Sequence, residues 1–312
     1  MINEKRLLDT FIGYAMIDSE TKNEKAMGEK LVEDLKALGL EVKTDKAGEG
    51  FGSNGFNVCA YLPGTIPGEP TIMCAHMDTV TPGNGIKPLI DDGIIHTDGS
   101  TILSGDDKSG IAAIMEAVKV IKEQNLPCRN TEILFTIGEE GGMNGVKNMD
   151  LSMIKGKEAM VFDASGDVGK ILTCGPGQIK IFATIIGRSS HAGLAPEEGI
   201  SAIQVAAKGI AKMNLLRIDE ETTCNIGTLK AEYATNIVPE KAEFVAEVRS
   251  RNLDKLNAQA AHMQKCLQDA CDEMGAKLEI ELKTNYVSFN VANDDPMVQR
   301  VFESCKRIGC EP

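Results

Sequence analysis

The chain has 312 residues, 42% of them hydrophobic, which suits roughly two domains with sizeable cores and excludes a disordered or fibrous protein. Its formal net charge of -13 argues against nucleic acid or an anionic membrane as partner and is compatible with binding cations. Nine cysteines, with no Cys-x-x-Cys, read as buried free thiols in a reducing cytosol. No signal peptide is evident and no apolar run approaches bilayer-spanning length, so the expectation is a soluble cytoplasmic protein.

Glu4 to Ala15 carries Leu7, Leu8, Phe11 and Ile12 on one helical stripe. A second amphipathic helix is expected from about Asn23 to Leu38, stopped by Gly39, followed by a strand over Leu40 to Thr44. Gly50 to Gly55 fits the dinucleotide pattern G-x-G-x-x-G, but it precedes the strand Asn57 to Leu62 instead of linking a strand to a helix. It reads as a flexible loop. Ile72 to Ala75 is a short buried strand that delivers His76 and Asp78 two residues apart, on one face if the backbone stays extended. A ligating histidine commonly gives its second ring N–H to a carboxylate, and open α/β sheets place ligands at strand carboxyl ends.

Gly93 to Gly99 reads as a hairpin. Asp106 and Asp107 sit just before a helical run from Ile111 to Glu123, where one of them could be an N-cap. Thr131 to Ile137 is β-branched and ends in Gly138-Glu139-Glu140-Gly141-Gly142; Ala159 to Phe162 is another short strand ending in Asp163. After Gly175-Pro176-Gly177 the texture changes. Strands over Gln178 to Ile186, Thr222 to Leu229, Lys241 to Arg249 and Lys277 to Val287, with helices over Ile200 to Met213 and Leu253 to Met274, give the ferredoxin-like order β-α-β-β-α-β. A last helix starts at Asp294-Asp295-Pro296 and ends at Gly309. The expected division is 1–177 as a catalytic metal-binding domain, 178–288 as an inserted domain, and 289–312 as an incomplete return to the first.

His76, Asp106, Glu139, Glu140 and Asp163 are the chemistry-bearing set. One imidazole with several carboxylates suits zinc, cobalt or manganese, and carboxylates can bridge a metal pair. The motifs His76-x-Asp78, Gly105-Asp106-Asp107-Lys108-x-Gly110, Glu139-Glu140-Gly141-Gly142 and Asp163 resemble those of the M20 metallopeptidase family, nearest to its peptidase T-like branch.

That resemblance implies an α/β, mixed-sheet, zinc-peptidase-like catalytic domain with an inserted ferredoxin-like lid and dimerisation domain. It implies two divalent ions: His76 and Asp163 on one, Glu140 on the second, Asp106 bridging, Asp78 orienting His76, and Glu139 as general base toward a metal-activated water. His191 matches a residue that steadies the oxyanion in the partner subunit's site, while Asn236 and Arg249 match substrate-binding positions. The family continues beyond this point to a late histidine of the second metal site. With the sequence stopping at Pro312, the expectation is a C-terminally truncated chain, weak in its second metal and impaired or inactive, with an active full-length parent. The implied activity is cleavage of short peptides, tripeptides first, by a homodimer. N-acyl amino acid deacylation and a non-catalytic metal-binding protein are the alternatives. His96 and His262 are read as a hairpin position and a helix face.

Overall fold

The structure, a computed structural model, describes all 312 residues. They form two compact units, Met1–Asp167 and Val168–Pro312.

In the first unit α1 (Glu4–Ala15) is capped by the Asn3 side chain, which accepts from the Arg6 N–H, and buries Phe11, Tyr14 and Ala15. Helix α2 (Lys25–Ala37) buries Met27, Leu31 and Leu35, four residues apart on one face. Then come β1 (Glu41–Thr44), β2 (Val58–Leu62) and β3 (Thr71–His76). A hairpin follows, β4 (Leu89–Asp91) and β5 (Ile94–His96). It turns at Asp92 and Gly93, both with positive φ, so the hairpin spans Leu89–His96 and begins before the Gly93 to Gly99 stretch read as one from the sequence. The unit continues with α3 (Gly105–Glu123), β6 (Thr131–Thr136), the short α4 (Asn144–Lys147) and β7 (Glu158–Val161).

The five-stranded sheet has the order β1-β2-β6-β3-β7. β1, β2 and β6 pair antiparallel, whereas β6-β3-β7 is parallel, so the sheet is mixed as expected. The parallel trio sets the site. His76 pairs with Thr136, the Met77 N–H reaches the Thr136 carbonyl, and the Phe162 N–H reaches the Cys74 carbonyl. Three strands thus release their next residues at one edge. Every residue of β6 is buried, as for a strand covered on both faces.

The second unit holds β8 (Cys174–Gly175), β9 (Gly177–Ile186), α5 (Ala202–Ile210), β10 (Leu216–Arg217), β11 (Thr222–Lys230), β12 (Lys241–Ser250), α6 (Leu253–Met274), β13 (Lys277–Tyr286), β14 (Phe289–Asn290) and α7 (Pro296–Arg307). Its main sheet, β10-β11-β12-β9-β13, is antiparallel throughout and, apart from the small β10, has the ferredoxin-like strand order. In β9, Ile179, Ile181, Ala183 and Ile185 are buried with the apolar faces of α5 and α6, while Lys180 and Phe182 point the other way. Asp295 caps α7 through the Met297 N–H with Pro296 in the first turn, as the sequence indicates.

The units do not follow the division at 177/178 and 288/289. Residues 289–312 group with the second unit because they lie along 168–175. β8 pairs with β14, the Val291 N–H donates to the Thr173 carbonyl, and a Cβ on Gly169 would meet the Glu311 carbonyl at 2.6 Å. No helix is long and apolar enough to cross a membrane.

The two-residue period of the second sheet gives a direct test. Phe244→Ala, on the helix-covered face, is expected to cost about 3–5 kcal/mol. Phe182→Ala, on the opposite face, should cost about 1 kcal/mol or less. Chemical denaturation measures both, and equal costs would contradict the assigned faces.

Candidate metal centre

The parallel strand ends bring six of the expected residues together in the first unit. His76 Nε2 lies 2.9 Å from Asp106 Oδ1 and 3.9 Å from Asp163 Oδ1. The ligand atoms of His76, Asp106 and Glu140, and separately of His76, Glu139 and Asp163, lie within 4.8 Å of one another. His76 belongs to both groups and is almost completely buried; the carboxylates are half-buried or exposed.

Asp78 does not act only as a carboxylate partner of the imidazole. His76 Nδ1 makes its hydrogen bond to the Asp78 backbone carbonyl at 2.9 Å, and the Asp78 carboxylate stands at 3.4 Å. β3 ends at His76, so the two side chains are not successive members of one strand face. The carboxylate is fully buried and accepts from the Glu139 N–H (2.9 Å), the Glu140 N–H (3.2 Å) and the Thr21 hydroxyl (2.8 Å). It therefore ties the His76 segment to the Glu139-Glu140 loop. Burial opposes its charge, but His76 and these donors outweigh burial and hold Asp78 below the usual carboxylate range.

The other acids lean the opposite way. Burial, followed by neighbouring carboxylates, raises the proton affinity of Glu139 and Glu140 and pushes Asp163 up to about 6, against the pull of His76. Burial also works against the charged imidazole, yet the Asp78, Asp163 and Asp106 carboxylates override it and push His76 up to about 10. The cluster holds more negative charge than one imidazolium can balance. A divalent cation answers that surplus, and imidazole nitrogen with carboxylate oxygen is a donor set for zinc, cobalt or manganese. The residues present fit such an ion.

Around Asp106 the helix has not begun. Asp106 and Asp107 have non-helical backbone angles that put a kink there, and Ser104 ahead of them makes no side-chain cap. Asp107 turns inward and accepts the His76 N–H at 3.1 Å. A Cβ on Gly110 would lie 2.2 Å from the Asp107 carboxylate and 2.6 Å from the Phe162 carbonyl, so only glycine fits there. Lys108 is buried, donates to the Ile17 carbonyl at 2.6 Å, and is pushed down to about 8 by burial.

Sequence reasoning missed three supporting residues. Thr21 has been described. Asn57, fully buried, accepts the Ile137 N–H (3.1 Å) and donates to the Gly145 carbonyl (2.9 Å). Glu24, also fully buried, accepts the Gly138 N–H at 3.1 Å. Asn57 was signalled only as a polar residue beside an apolar run, and Thr21 and Glu24 lie in a polar stretch that gives no signal. The Gly50–Gly55 stretch is a loop whose last residue packs in this neighbourhood: a Cβ on Gly55 would press on Glu24 and on Ile137 at 3.0–3.1 Å.

His191, Asn236 and Arg249 lie in the second unit. The His191 and Asn236 loops are joined by the Ala192 N–H to the Asn236 carbonyl (2.9 Å) and by a bridge between His191 and Ile237. Arg249 is engaged by Glu247, at 2.8 Å from Nε. His96 pairs with Asp91 in the hairpin, and His262 on α6 accepts the Asn214 N–H, so neither joins the cluster.

This fold and this cluster define a cation-dependent α/β hydrolase of the zinc-peptidase type. Residues 176–275 match the peptidase dimerisation domain model of M20 enzymes, and residues 57–174 match that of peptidase family M28. The Bacillus subtilis protein YqjE is 42% identical over 309 residues, 99% of this chain and 83% of its own length. Aminopeptidase PepT from Bacillus cereus is 42% identical with a TM-score of 0.95, covering 100% of this chain and 84% of that one. A Staphylococcus aureus tripeptidase is 39% identical with a TM-score of 0.95, covering 100% and 83%. The chain belongs to the M20 metallopeptidase family, in its peptidase T-like branch.

Asp78→Ala removes the acceptor shared by the Glu139 and Glu140 N–H groups. Zinc affinity, measured by competition with a chromophoric chelator, is expected to fall about 10–100-fold. Unchanged affinity would show that the tie is not needed.

Proposed function

We propose that the chain is a metal-dependent aminopeptidase of short peptides, tripeptides first, using two divalent ions, zinc with cobalt or manganese as substitutes. The observation that carries the reading is the convergence of His76, Asp106, Glu139, Glu140 and Asp163 around common ligand positions at one sheet edge. The names of the Bacillus cereus and Staphylococcus aureus relatives support the substrate class.

In this reading His76 and Asp163 would hold one ion and Glu140 the other, with Asp106 available to both. Cations held there would supply Lewis acidity toward an amide carbonyl and a water. Glu139 moves the protons. Burial raises its proton affinity toward that of a working general base, and its half-buried carboxylate stands next to the ligand set without closing the site. Asp78 positions His76 and the Glu139 loop together.

The domain roles are residues 1–177 for catalysis, 178–288 as lid and homodimer surface, and 289–312 returning to the catalytic part. Support comes from the β8–β14 pairing, which closes the ends of the inserted segment on each other, and from the dimerisation-domain match. His191, Asn236 and Arg249 serve the substrate, with Arg249 exchanging Glu247 for a peptide carboxylate. All nine cysteines are free, which fits a cytoplasmic location and no use for disulfides.

Purified chain should cleave tripeptides faster than dipeptides or N-acyl amino acids. Chelator should abolish the activity and zinc, cobalt or manganese should restore it. Glu139→Gln is expected to lower kcat about 10²–10⁴-fold. Activity that survives both treatments sinks the mechanism; preference for N-acyl amino acids makes the chain a deacylase instead.

A further inference from the structure

Four successive backbone N–H groups, Ile137 to Glu140, end on buried side chains: Asn57, Glu24, and both oxygens of Asp78. Glu24 is the unexpected member. It occupies the N-cap position of α2 yet makes no side-chain cap for that helix. Its carboxylate turns away. Oε1 accepts from the Lys22 N–H (2.9 Å) and the Gly138 N–H (3.1 Å), and Oε2 accepts from the Ser53 hydroxyl (2.5 Å). Ser53 is fixed in turn by the Gly55 N–H at 2.8 Å. A fully buried carboxylate is costly to keep unless its oxygens are used, and these are.

The residue it grips matters. Gly138 has φ +62°, a conformation natural to glycine, and directly precedes Glu139. The peptide's carbonyl, on Ile137, accepts the Gly145 N–H at 2.9 Å, so Glu24 supplies the matching anchor on its N–H side.

We propose that Glu24 is a positioning residue for the hydrolytic site: by holding the Gly138 peptide it presents the Glu139 and Glu140 carboxylates at fixed distances to cation and substrate. This rests on the roles given above to Glu139 and Glu140. Glu24 touches neither the reacting atoms nor the ligands and acts through the loop.

Two variants of the full chain test it. Glu24→Gln keeps an oxygen for the two N–H groups and can donate to Ser53. Glu24→Met has similar length and no such acceptor. Zinc affinity by chelator competition, steady-state kinetics and thermal melting are read on each. Glu24→Gln should stay within about threefold of the parent in affinity and kcat, since the hydrogen bonds persist. Glu24→Met should lose about 10–100-fold in zinc affinity. Its kcat should fall by about 10²-fold with KM little changed, the cost of a misplaced catalytic group. In a Glu139→Gln background the same change should cost kcat almost nothing further. If Glu24→Met does not fold, Ser53→Ala, which frees one Glu24 oxygen, should show a smaller loss in the same direction.

A lowered melting temperature with parental zinc affinity and kcat, in Glu24→Met or in Ser53→Ala, would overturn the proposal and leave Glu24 a structural residue. Equal losses in Glu24→Gln and Glu24→Met would also overturn it, because charge would then matter and not the held peptide. A parent that binds zinc but cleaves no peptide would refute the aminopeptidase reading, while the affinity comparison would still judge Glu24.

Discussion

Carboxylates that share a few ångströms of space repel one another, and everything around the cluster of the first unit is arranged to keep them there. Burial, reinforced by repulsion among Asp106, Glu139, Glu140 and Asp163, raises the proton affinity of three of them. The opposing force is not a ring of surface cations. It is a set of backbone N–H groups and buried acceptors that fix the segments bearing the acids, so that a divalent ion meets an assembled site instead of having to gather it.

The sheet makes that economy possible. Parallel pairing of β6, β3 and β7 releases three segments at one edge, and each carries acids on its first residues. Asp78 then links two of the segments, since one carboxylate serves both the His76 side and the Glu139-Glu140 side. Asp107 does something similar from the α3 side by accepting the His76 N–H. The acids that face solvent and the acids that face the protein alternate: Asp106 outward, Asp107 inward; Glu140 outward, Asp78 inward.

Much of this was legible in the sequence because chemistry and periodicity coincide. The run ending in His76, the β-branched strand ending in Glu139 and the strand ending in Asp163 each announce an acid or imidazole at a strand terminus. The ferredoxin-like order of the second unit follows from alternating burial in β9 and β12 and from the long stripe of α6. What was not legible depends on distant partners. Glu24 reads as an ordinary acid near a helix start, and its meaning lies 114 residues away at Gly138. The His76 Nδ1 bond to a backbone carbonyl cannot be seen in a residue pattern, because any residue at that position would supply the carbonyl. Gly50–Gly55 looked like a loop with a borrowed motif, whereas its last glycine, Gly55, is a spacing residue against Glu24 and Ile137.

The two-strand ribbon of β8 and β14 has a different sort of consequence. Gly175 faces Phe289 across it, and a Cβ on that glycine would lie 2.4 Å from the Phe289 ring, so the two ends of the segment between them are held side by side. A segment whose two ends are neighbours can be swapped, shortened or deleted as a cassette without re-routing what lies on either side of it. Evolution can therefore exchange the intervening segment by recombination at its paired ends, leaving the acids and the sheet that holds them untouched.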